Sequence, residues 1–367
     1  PFFVPTLDPY DRFECRVGLG YTTWDTEFYG IRSEITVFVP NGANAVLRRV
    51  KITNLRKEPV TVDAIPVVEY THFDALKQFN NADWVPQTMQ SKALREGSGH
   101  LLLLQYPFMN KDRQVNYLTS SAPVSSFASC RKRFLGDNEY GTWQRPLSLL
   151  SEELDDYEAL RGDNIGALLH HLGEIGPGES REFIVQLGQA PNADAALEEA
   201  HKYRSLQAFD QAFAEQQGFF EAFLSKFQVE TPDASFNSMV NVHNPRQCHT
   251  TKGWSRYLSL YQLGLGERGI GFRDSSQDVL GVLDRQPEDA KALMKMLLSV
   301  QKRDGSAMHQ FNPLSMVANE GDSRERDDRP HYYGDDHLWI VVSVAWYLKE
   351  TGDYDFVVRT EHAARLW

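Results

Sequence analysis

The residues best suited to chemistry lie in one glycine-rich stretch, residues 253–278, with the sequence GWSRYLSLYQLGLGERGIGFRDSSQD. Glycine lacks a side chain, so such a stretch lets the backbone approach a ligand closely. Its glycines follow neither the GxGxxG pattern after a strand nor the Walker pattern, so a nucleotide phosphate site is not indicated. Its arginines and aspartates suit bonding to neighbouring hydroxyl groups, and its aromatic rings suit stacking on sugar faces. The alternative is a cluster of Arg–Asp ion pairs that ties helix ends together.

The glycines at positions 264, 266, 269 and 271 disfavour a regular helix, because glycine costs about 1 kcal/mol per helical position relative to alanine. We therefore expect that no helix or strand beside this loop requires the charge of Asp274 for its stability.

A second polar cluster follows at 304–311 and 332–339, with the sequences DGSAMHQF and YYGDDHLW. The adjacent carboxylates Asp335 and Asp336 precede an apolar helical pattern, where the helix dipole favours negative charge. One of them is therefore expected to cap that helix. The three histidines of this region lack the H-x-x-H and HExxH spacings, so no metal site is predicted. They are His309, His331 and His337.

The composition is that of a soluble globular protein, with 367 residues of which 41% are hydrophobic and 24% are charged. The formal net charge of −12 argues against a nucleic-acid-binding scaffold, which would carry a basic face. No stretch approaches the roughly 18 apolar residues of a transmembrane helix, so no membrane partner is expected. The three cysteines lie far apart, which predicts no disulfide framework and favours a reducing, cytoplasmic compartment.

The first half of the chain alternates apolar and polar residues with period two, which is typical of strands with one buried face. The predicted strands span 33–39, 46–54, 60–70, 100–105 and 182–187. Polar turns separate them, and no helical period intervenes. This pattern predicts an antiparallel β-sandwich rather than an α/β sheet.

After Ala190 the period changes to 3.6 residues, which indicates helices. Asn192 or Asp194 is predicted to cap the first of them, and Thr231 is predicted to cap a later one that has Pro232 at its first position. The predicted helices span 192–203, 206–227, a segment after Thr231, 287–302, 336–350 and a segment from 354 that is still running at 367. The second half is therefore expected to be a helix array that the chain leaves unfinished.

Three long motifs of this chain, GIGFRDSSQD, DGSAMHQFNPL and GDDHLWIVVSVAWYLKETGD, resemble the phosphorylases of glycoside hydrolase family 94. Upstream, RVGLGYTTWDTEFYGIRSEITVFVPNGANAVLRRVKITN resembles the amino-terminal sandwich of the same enzymes. The resemblance implies a β-sandwich followed by an (α/α)6 helical barrel. It implies a sandwich at 1–190 with its beginning missing, a helical linker at 191–230 and the first part of an incomplete catalytic barrel at 231–367. The chain is accordingly expected to be an internal fragment of a longer enzyme.

The resemblance also implies roles for individual residues. It implies that the non-reducing sugar unit is bound by residues at matching positions, which are Arg268, Arg273, Asp274, Trp254 and Arg256. Gln277 and Asp278 are expected to have a supporting role. The general acid of the family is an aspartate in a downstream Trp-Asn-Asp motif, and the phosphate ligands come later still. No catalytic residue is therefore assigned in this chain, and the general acid is expected beyond Trp367.

The resemblance implies inverting phosphorolysis of a β-linked glucose disaccharide, of the cellobionic acid or cellobiose type, to α-glucose 1-phosphate and the released sugar. Inorganic phosphate would be the co-substrate, and no cofactor is expected. The enzyme is expected to be a cytoplasmic homodimer whose loop 83–90 approaches the active site of the neighbouring subunit. Two alternatives stay open: a hydrolase resembling glucoamylase, which needs a second carboxylate to activate water, and a non-catalytic carbohydrate-binding protein.

Overall fold

The computed structural model describes residues 9–70, 89–107, 114–137, 143–162, 164–254, 270–302, 305–313, 316, 318–319 and 334–357. The chain divides into two units, Pro1–Phe219 and Phe220–Trp367. β-Strands dominate the first unit, and α-helices dominate the second.

Thirteen strands of the first unit are described. They are β1 Arg12–Val17, β2 Tyr21–Phe28, β3 Ile31–Phe38, β4 Ala45–Asn54, β5 Val60–Ala64, β6 Val67–Glu69, β7 Met89–Arg95, β8 Leu101–Pro107, β9 Val115–Ser120, β10 Phe127–Cys130, β11 Asn164–Leu168, β12 His170–Ile175 and β13 Ser180–Ala190. Eight of them form one antiparallel sheet in the order β1-β2-β3-β4-β13-β9-β8-β7. Two smaller sheets, β10-β11-β6 and β12-β5, complete the antiparallel architecture that the sequence predicts.

The single strand predicted at 60–70 is instead two strands, β5 and β6. Pro66 lies between them, and proline has no N–H to donate to a sheet. The two halves also pair with different partners, since β5 pairs with β12 and β6 pairs with β11. Proline thus lets the chain pass from one small sheet to the other.

Eight α-helices are described. They are α1 Arg131–Leu135, α2 Ala193–Lys202, α3 Leu206–Ser225, α4 Ala234–Ser238, α5 Asn244–Trp254, α6 Phe272–Leu280, α7 Pro287–Ser299 and α8 Asp336–Thr351. The 3-10 turn Leu147–Leu150 and the π-helical turn Met239–His243 add two short segments. In the part of the chain that the structure describes, no helix is long and apolar enough to cross a membrane.

The ends of these helices test the predicted capping residues. Asn192 caps α2, as predicted, by accepting the backbone N–H of Ala195 at 2.9 Å. The prediction for Thr231 is wrong, because Asp233 caps α4 by accepting the backbone N–H groups of Ser235 and Phe236 at 2.9 and 3.1 Å. The helix begins at Ala234, two residues later than predicted, so Asp233 occupies the N-cap position. The Thr231 hydroxyl instead donates to Asn237 Oδ1 at 2.8 Å.

The central strands of the large sheet are buried on both faces, rather than on the one face that alternation predicts. β8 contains four consecutive leucines, all at most 3% exposed. Leu102 lies in a core with Phe209 of α3, whereas Leu101 lies in a second core with Phe127 of β10. Successive side chains of a strand point to opposite faces, so helices cover one face of the sheet and the small sheets cover the other.

The core of the second unit forms between α6, α7 and α8. Phe272, Val279, Met294, Leu297 and Ile340 are each at most 2% exposed and belong to one cluster. The predicted helices at 287–302 and 336–350 are confirmed with small changes at their ends. Most of the final helix that the sequence predicts, residues 358–367, lies outside the described residues.

A histidine of the first unit joins two carboxylates across its small sheet. His171 Nδ1 lies 2.8 Å from Asp63 Oδ1, and its Nε2 lies 3.0 Å from Glu153 Oε1. The hydrogen bonds to Asp63 and Glu153 raise the pKa of His171. Hydrogen bonds from Ser125, Ser126 and His171 lower the pKa of Glu153 to about 2.

These pKa shifts predict a pH-dependent contribution to stability. A raised histidine pKa stabilises the fold fully below the pKa of the unfolded chain, and this contribution is lost as pH rises through the folded pKa. The lowered Glu153 pKa acts oppositely, since its contribution is lost only as pH falls through about 2. We therefore expect His171→Gln to lower the thermal unfolding midpoint more at about pH 5.5 than at about pH 8.5. The first value lies about one unit below an ordinary histidine pKa, and the second lies about two units above it.

His243→Gln provides the control, because His243 is exposed and has no such carboxylate partner among the described residues. An equal effect of His171→Gln at both pH values would contradict the prediction.

Candidate functional site

The segment Phe272-Arg273-Asp274 opens α6 directly after a two-residue strand. This strand, β14 Ile270–Gly271, pairs with β15 Gln310–Phe311, which in turn pairs with β16 Ala318–Asn319. The backbone N–H of Phe272 then donates to the carbonyl of His309 at 3.0 Å. The start of α6 is therefore held to the loop before β15 by main-chain bonds on consecutive residues.

Gly271 leaves room for the Asp274 side chain. A Cβ atom at Gly271 would lie 2.4 Å from Asp274 Oδ2, which is much closer than real Cβ contacts. Asp274 itself lies in the first turn of α6, where the helix dipole favours a carboxylate. The expectation that no helix or strand beside the loop needs this charge is therefore wrong, because α6 begins immediately after Gly271.

Arg273 forms an ion pair with Asp335, the residue before α8. Its Nη1 lies 3.0 Å from both Oδ1 and Oδ2 of the carboxylate. The two side chains are 36% and 49% exposed. The hydrogen bond raises the pKa of Arg273 and lowers the pKa of Asp335. Both groups thus remain charged while their surface stays open to a ligand.

Asp336, the first residue of α8, is completely buried and pairs with a histidine. Its Oδ2 lies 3.0 Å from Nδ1 of His309, and its own exposure is 0%. Its Oδ1 is also buried and has no hydrogen-bond partner among the described residues. The predicted capping role does not hold for Asp335, whose side chain makes no capping hydrogen bond to α8.

α6 and α8 pack closely through two serines. Ser343 Oγ lies 2.6 Å from the carbonyl oxygen of Ser276 and 2.9 Å from that of Trp339. Ser276 Oγ in turn donates to the carbonyl of Phe272 at 2.8 Å. Both serines are fully buried, and their small side chains let the two helices approach. This contact fixes α6 relative to the start of α8.

The structure brings together only some of the residues predicted to bind sugar. Arg273 and Asp274 are consecutive residues in the first turn of α6, and Arg273 contacts Asp335. Gln277 points outward from α6 as an exposed residue, and Asp278 is half-buried one turn beyond Asp274. Three further predictions lie outside the described residues or side chains: Trp254, Arg256 and Arg268.

Sequence reasoning gave no partner to Arg273 and no role to His309. These residues do belong to the two polar motifs that follow α6, which contain Asp335, Asp336 and His309. The sequence does not show that the two motifs lie next to the start of α6, because that placement depends on the pairing of β14 with β15. Within the described ranges, no three His, Cys, Asp or Glu side chains converge as a metal site would require.

Two family models match the chain. The supersandwich domain of glycosyl hydrolase 94 matches residues 1–206, and the catalytic domain of the glycosyl hydrolase 94 superfamily matches residues 219–363. The first match alone covers more than half of the chain.

Curated relatives of known activity are similar along nearly the whole chain. N,N'-diacetylchitobiose phosphorylase of Vibrio furnissii is 28% identical, covering 94% of this chain and 44% of the relative. Solabiose phosphorylase of Paenibacillus borealis is 25% identical, and cellobionic acid phosphorylase of Neurospora crassa is 24% identical; each match covers 97% of this chain and 42% of the relative. The chain thus spans less than half the length of these relatives.

Solved structures share the fold at low sequence identity. A bacterial glucoamylase complexed with acarbose has a TM-score of 0.57 at 12% identity, covering 95% of this chain and 49% of that one. A putative kojibiose phosphorylase from the human microbiome has a TM-score of 0.53 at 10% identity, covering 95% and 44%. The succession of a β-sheet unit and a helical unit is therefore a known architecture.

The serine contact between α6 and α8 predicts a sensitive position. Ser343→Val should lower the thermal unfolding midpoint, because it adds volume to a close helix contact and removes a buried hydroxyl, at a cost of about 1–3 kcal/mol. Ser299→Val is the matched control, since Ser299 is exposed near the end of α7 and its hydroxyl donates to the carbonyl of Met296 at 2.7 Å. Equal midpoints for the two variants would contradict the tight packing.

Proposed function

The chain belongs to glycosyl hydrolase family 94, and on that premise we propose that the protein is an inverting phosphorylase of a β-linked disaccharide. The family models and the phosphorylases among the curated relatives support this proposal. We further propose that the helical unit forms part of an (α/α)6 barrel. Inorganic phosphate is the co-substrate, and no cofactor is needed.

In the proposed reaction, a phosphate oxygen attacks the anomeric carbon of the non-reducing sugar. The bond from that carbon to the glycosidic oxygen breaks, and a carboxylic acid donates the proton that the leaving oxygen takes up. Inverting hydrolysis needs a second carboxylate to activate water. Phosphate is already an anionic nucleophile, so one acid suffices, and the products are an α-sugar 1-phosphate and the released sugar.

Arg273 and Asp274 are the described residues that we propose to bind the non-reducing sugar. Both contacts of Arg273 with Asp335 use Nη1, while a guanidinium carries five N–H donors. The same side chain can therefore hold Asp335 and donate to sugar hydroxyls. Asp274 lies beside it as an acceptor, and side chains fixed in this way orient the sugar for in-line attack. Trp254, Arg256 and Arg268 would add to this site, with Gln277 and Asp278 in support.

We propose a glucose disaccharide of the cellobionic acid or cellobiose type as the substrate. The cellobionic acid phosphorylase of Neurospora crassa supports this choice. N,N'-diacetylchitobiose is the second candidate, because the phosphorylases of Vibrio furnissii and Vibrio proteolyticus that act on it are 28% and 27% identical to this chain.

Phosphate dependence decides between the open functions. The full natural protein is incubated with each disaccharide, with and without inorganic phosphate, and the products are separated. We expect a sugar 1-phosphate that forms only when phosphate is present. Free monosaccharides formed without phosphate would indicate a hydrolase, and binding without any product would indicate a carbohydrate-binding protein. Either result would contradict the proposal.

We also propose that the enzyme is a cytoplasmic homodimer. A sugar phosphate formed inside a cell is retained there, which favours the cytoplasm. The proposed interface includes loop 83–90, most of which lies outside the described residues. A stable dimer of this kind buries more than about 1,000 Å² in total.

Asp274→Ala should lower kcat/KM about 10- to 100-fold, because a hydrogen bond from a sugar hydroxyl to a carboxylate contributes about 1.5–3 kcal/mol. The matched control is Asp289→Ala. Asp289 also lies in the first turn of a helix, α7, and pairs with Lys252 at 2.6 Å. We expect the control to keep wild-type kcat/KM. A large fall in the unfolding midpoint of Asp274→Ala with kcat/KM preserved would instead assign Asp274 to the ion-pair network alone.

A further inference from the structure

We propose that Asp335 and Asp336 are positioning residues that hold the Arg273–Asp274 segment by two separate routes. The inference rests on the proposed function, because it takes that segment as the binding site of the non-reducing sugar. Neither carboxylate touches the reacting atoms in this scheme. Each acts through another residue.

The first route is direct. The Asp335 carboxylate contacts Nη1 of Arg273 with both oxygens at 3.0 Å. A guanidinium on a long side chain has many rotamers, and the ion pair selects those that keep it beside α8. Because only Nη1 takes part in these contacts, the pair orients the guanidinium and leaves its other nitrogens to face a ligand.

The second route runs through His309. Asp336 Oδ2 lies 3.0 Å from its Nδ1, and the His309 carbonyl accepts the backbone N–H of Phe272 at 3.0 Å. Phe272 immediately precedes Arg273 in the chain. The Asp336 carboxylate therefore holds the His309 imidazole, and the His309 carbonyl holds Phe272, the first residue of α6.

Helix capping alone does not account for this arrangement. The Asp335 side chain makes no capping bond, and a serine or asparagine would serve a cap equally well. Asp336 is fully buried, and its Oδ1 has no hydrogen-bond partner among the described residues. Burying a carboxylate is costly unless it is well paired. Two adjacent acids that reach Arg273 and His309 separately fit a role in fixing α6 at its first turn.

The test measures the reverse reaction of the full natural protein, with the sugar 1-phosphate as donor and the released sugar as acceptor. We expect Asp335→Asn and Asp336→Asn each to raise KM for the donor about tenfold, the effect of one lost charged hydrogen bond. KM for the acceptor should stay unchanged, since the segment faces only the non-reducing sugar. Asp335→Glu, which keeps the charge, should restore part of the donor KM.

Asp353→Asn is the matched control at the other end of α8. Asp353 pairs with Lys291 and accepts a hydrogen bond from the Tyr347 hydroxyl at 2.8 Å. Its removal breaks a comparable ion pair, so it should lower the unfolding midpoint and leave both KM values at their wild-type levels.

The outcomes separate this inference from the proposed function. An active wild type with an unchanged donor KM in both variants would overturn the inference alone. Parallel changes in donor and acceptor KM, together with a lower unfolding midpoint, would also overturn it by showing a merely structural role. A wild-type protein that makes no sugar phosphate would overturn the proposed function and the inference with it.

Discussion

A fully buried carboxylate at the first residue of α8 constrains the whole candidate site. Because a buried charge is costly unless it is paired, the position of Asp336 demands a partner, and His309 provides it. His309 is held in place by the pairing of β15 with β14, and that pairing also sets where α6 begins. The apolar core between α6 and α8 then holds this arrangement together. Arg273 and Asp274 stand where they do as a consequence.

Much of the fold could be predicted from periodicity, and the misses have physical causes. Alternation located four of the eight strands of the large sheet, namely β3, β4, β8 and β13. It could not show that β8 is buried on both faces, because that depends on which elements cover the sheet. Pro66 divided a predicted strand, since a residue without an N–H cannot continue a ladder. Asp233 replaced Thr231 as a cap because the helix begins two residues later than predicted, at Ala234.

The candidate site shows a similar division between local and non-local information. The sequence identified Arg273 and Asp274 through residue type and family resemblance, and both are close together in the structure. It assigned a helix cap to one of the two adjacent acids, Asp335 and Asp336, because local sequence favours that role for an acid before an apolar helix. Asp335 instead forms an ion pair. The actual partner, Arg273, is 62 residues away. The small sheet of the second unit and the packing of α6 on α8 bring such distant positions together. Strands of two residues carry almost no sequence signal.

The central claim is that the Arg273–Asp274 segment binds the non-reducing sugar of the substrate. A crystal structure of the full natural protein with its disaccharide bound tests this most directly. We expect sugar hydroxyl oxygens at about 3 Å from the Arg273 guanidinium and from the Asp274 carboxylate, which is ordinary hydrogen-bond distance. Asp335 should still contact Nη1 in that complex. A disaccharide bound elsewhere, with both side chains engaged only with protein, would contradict the account.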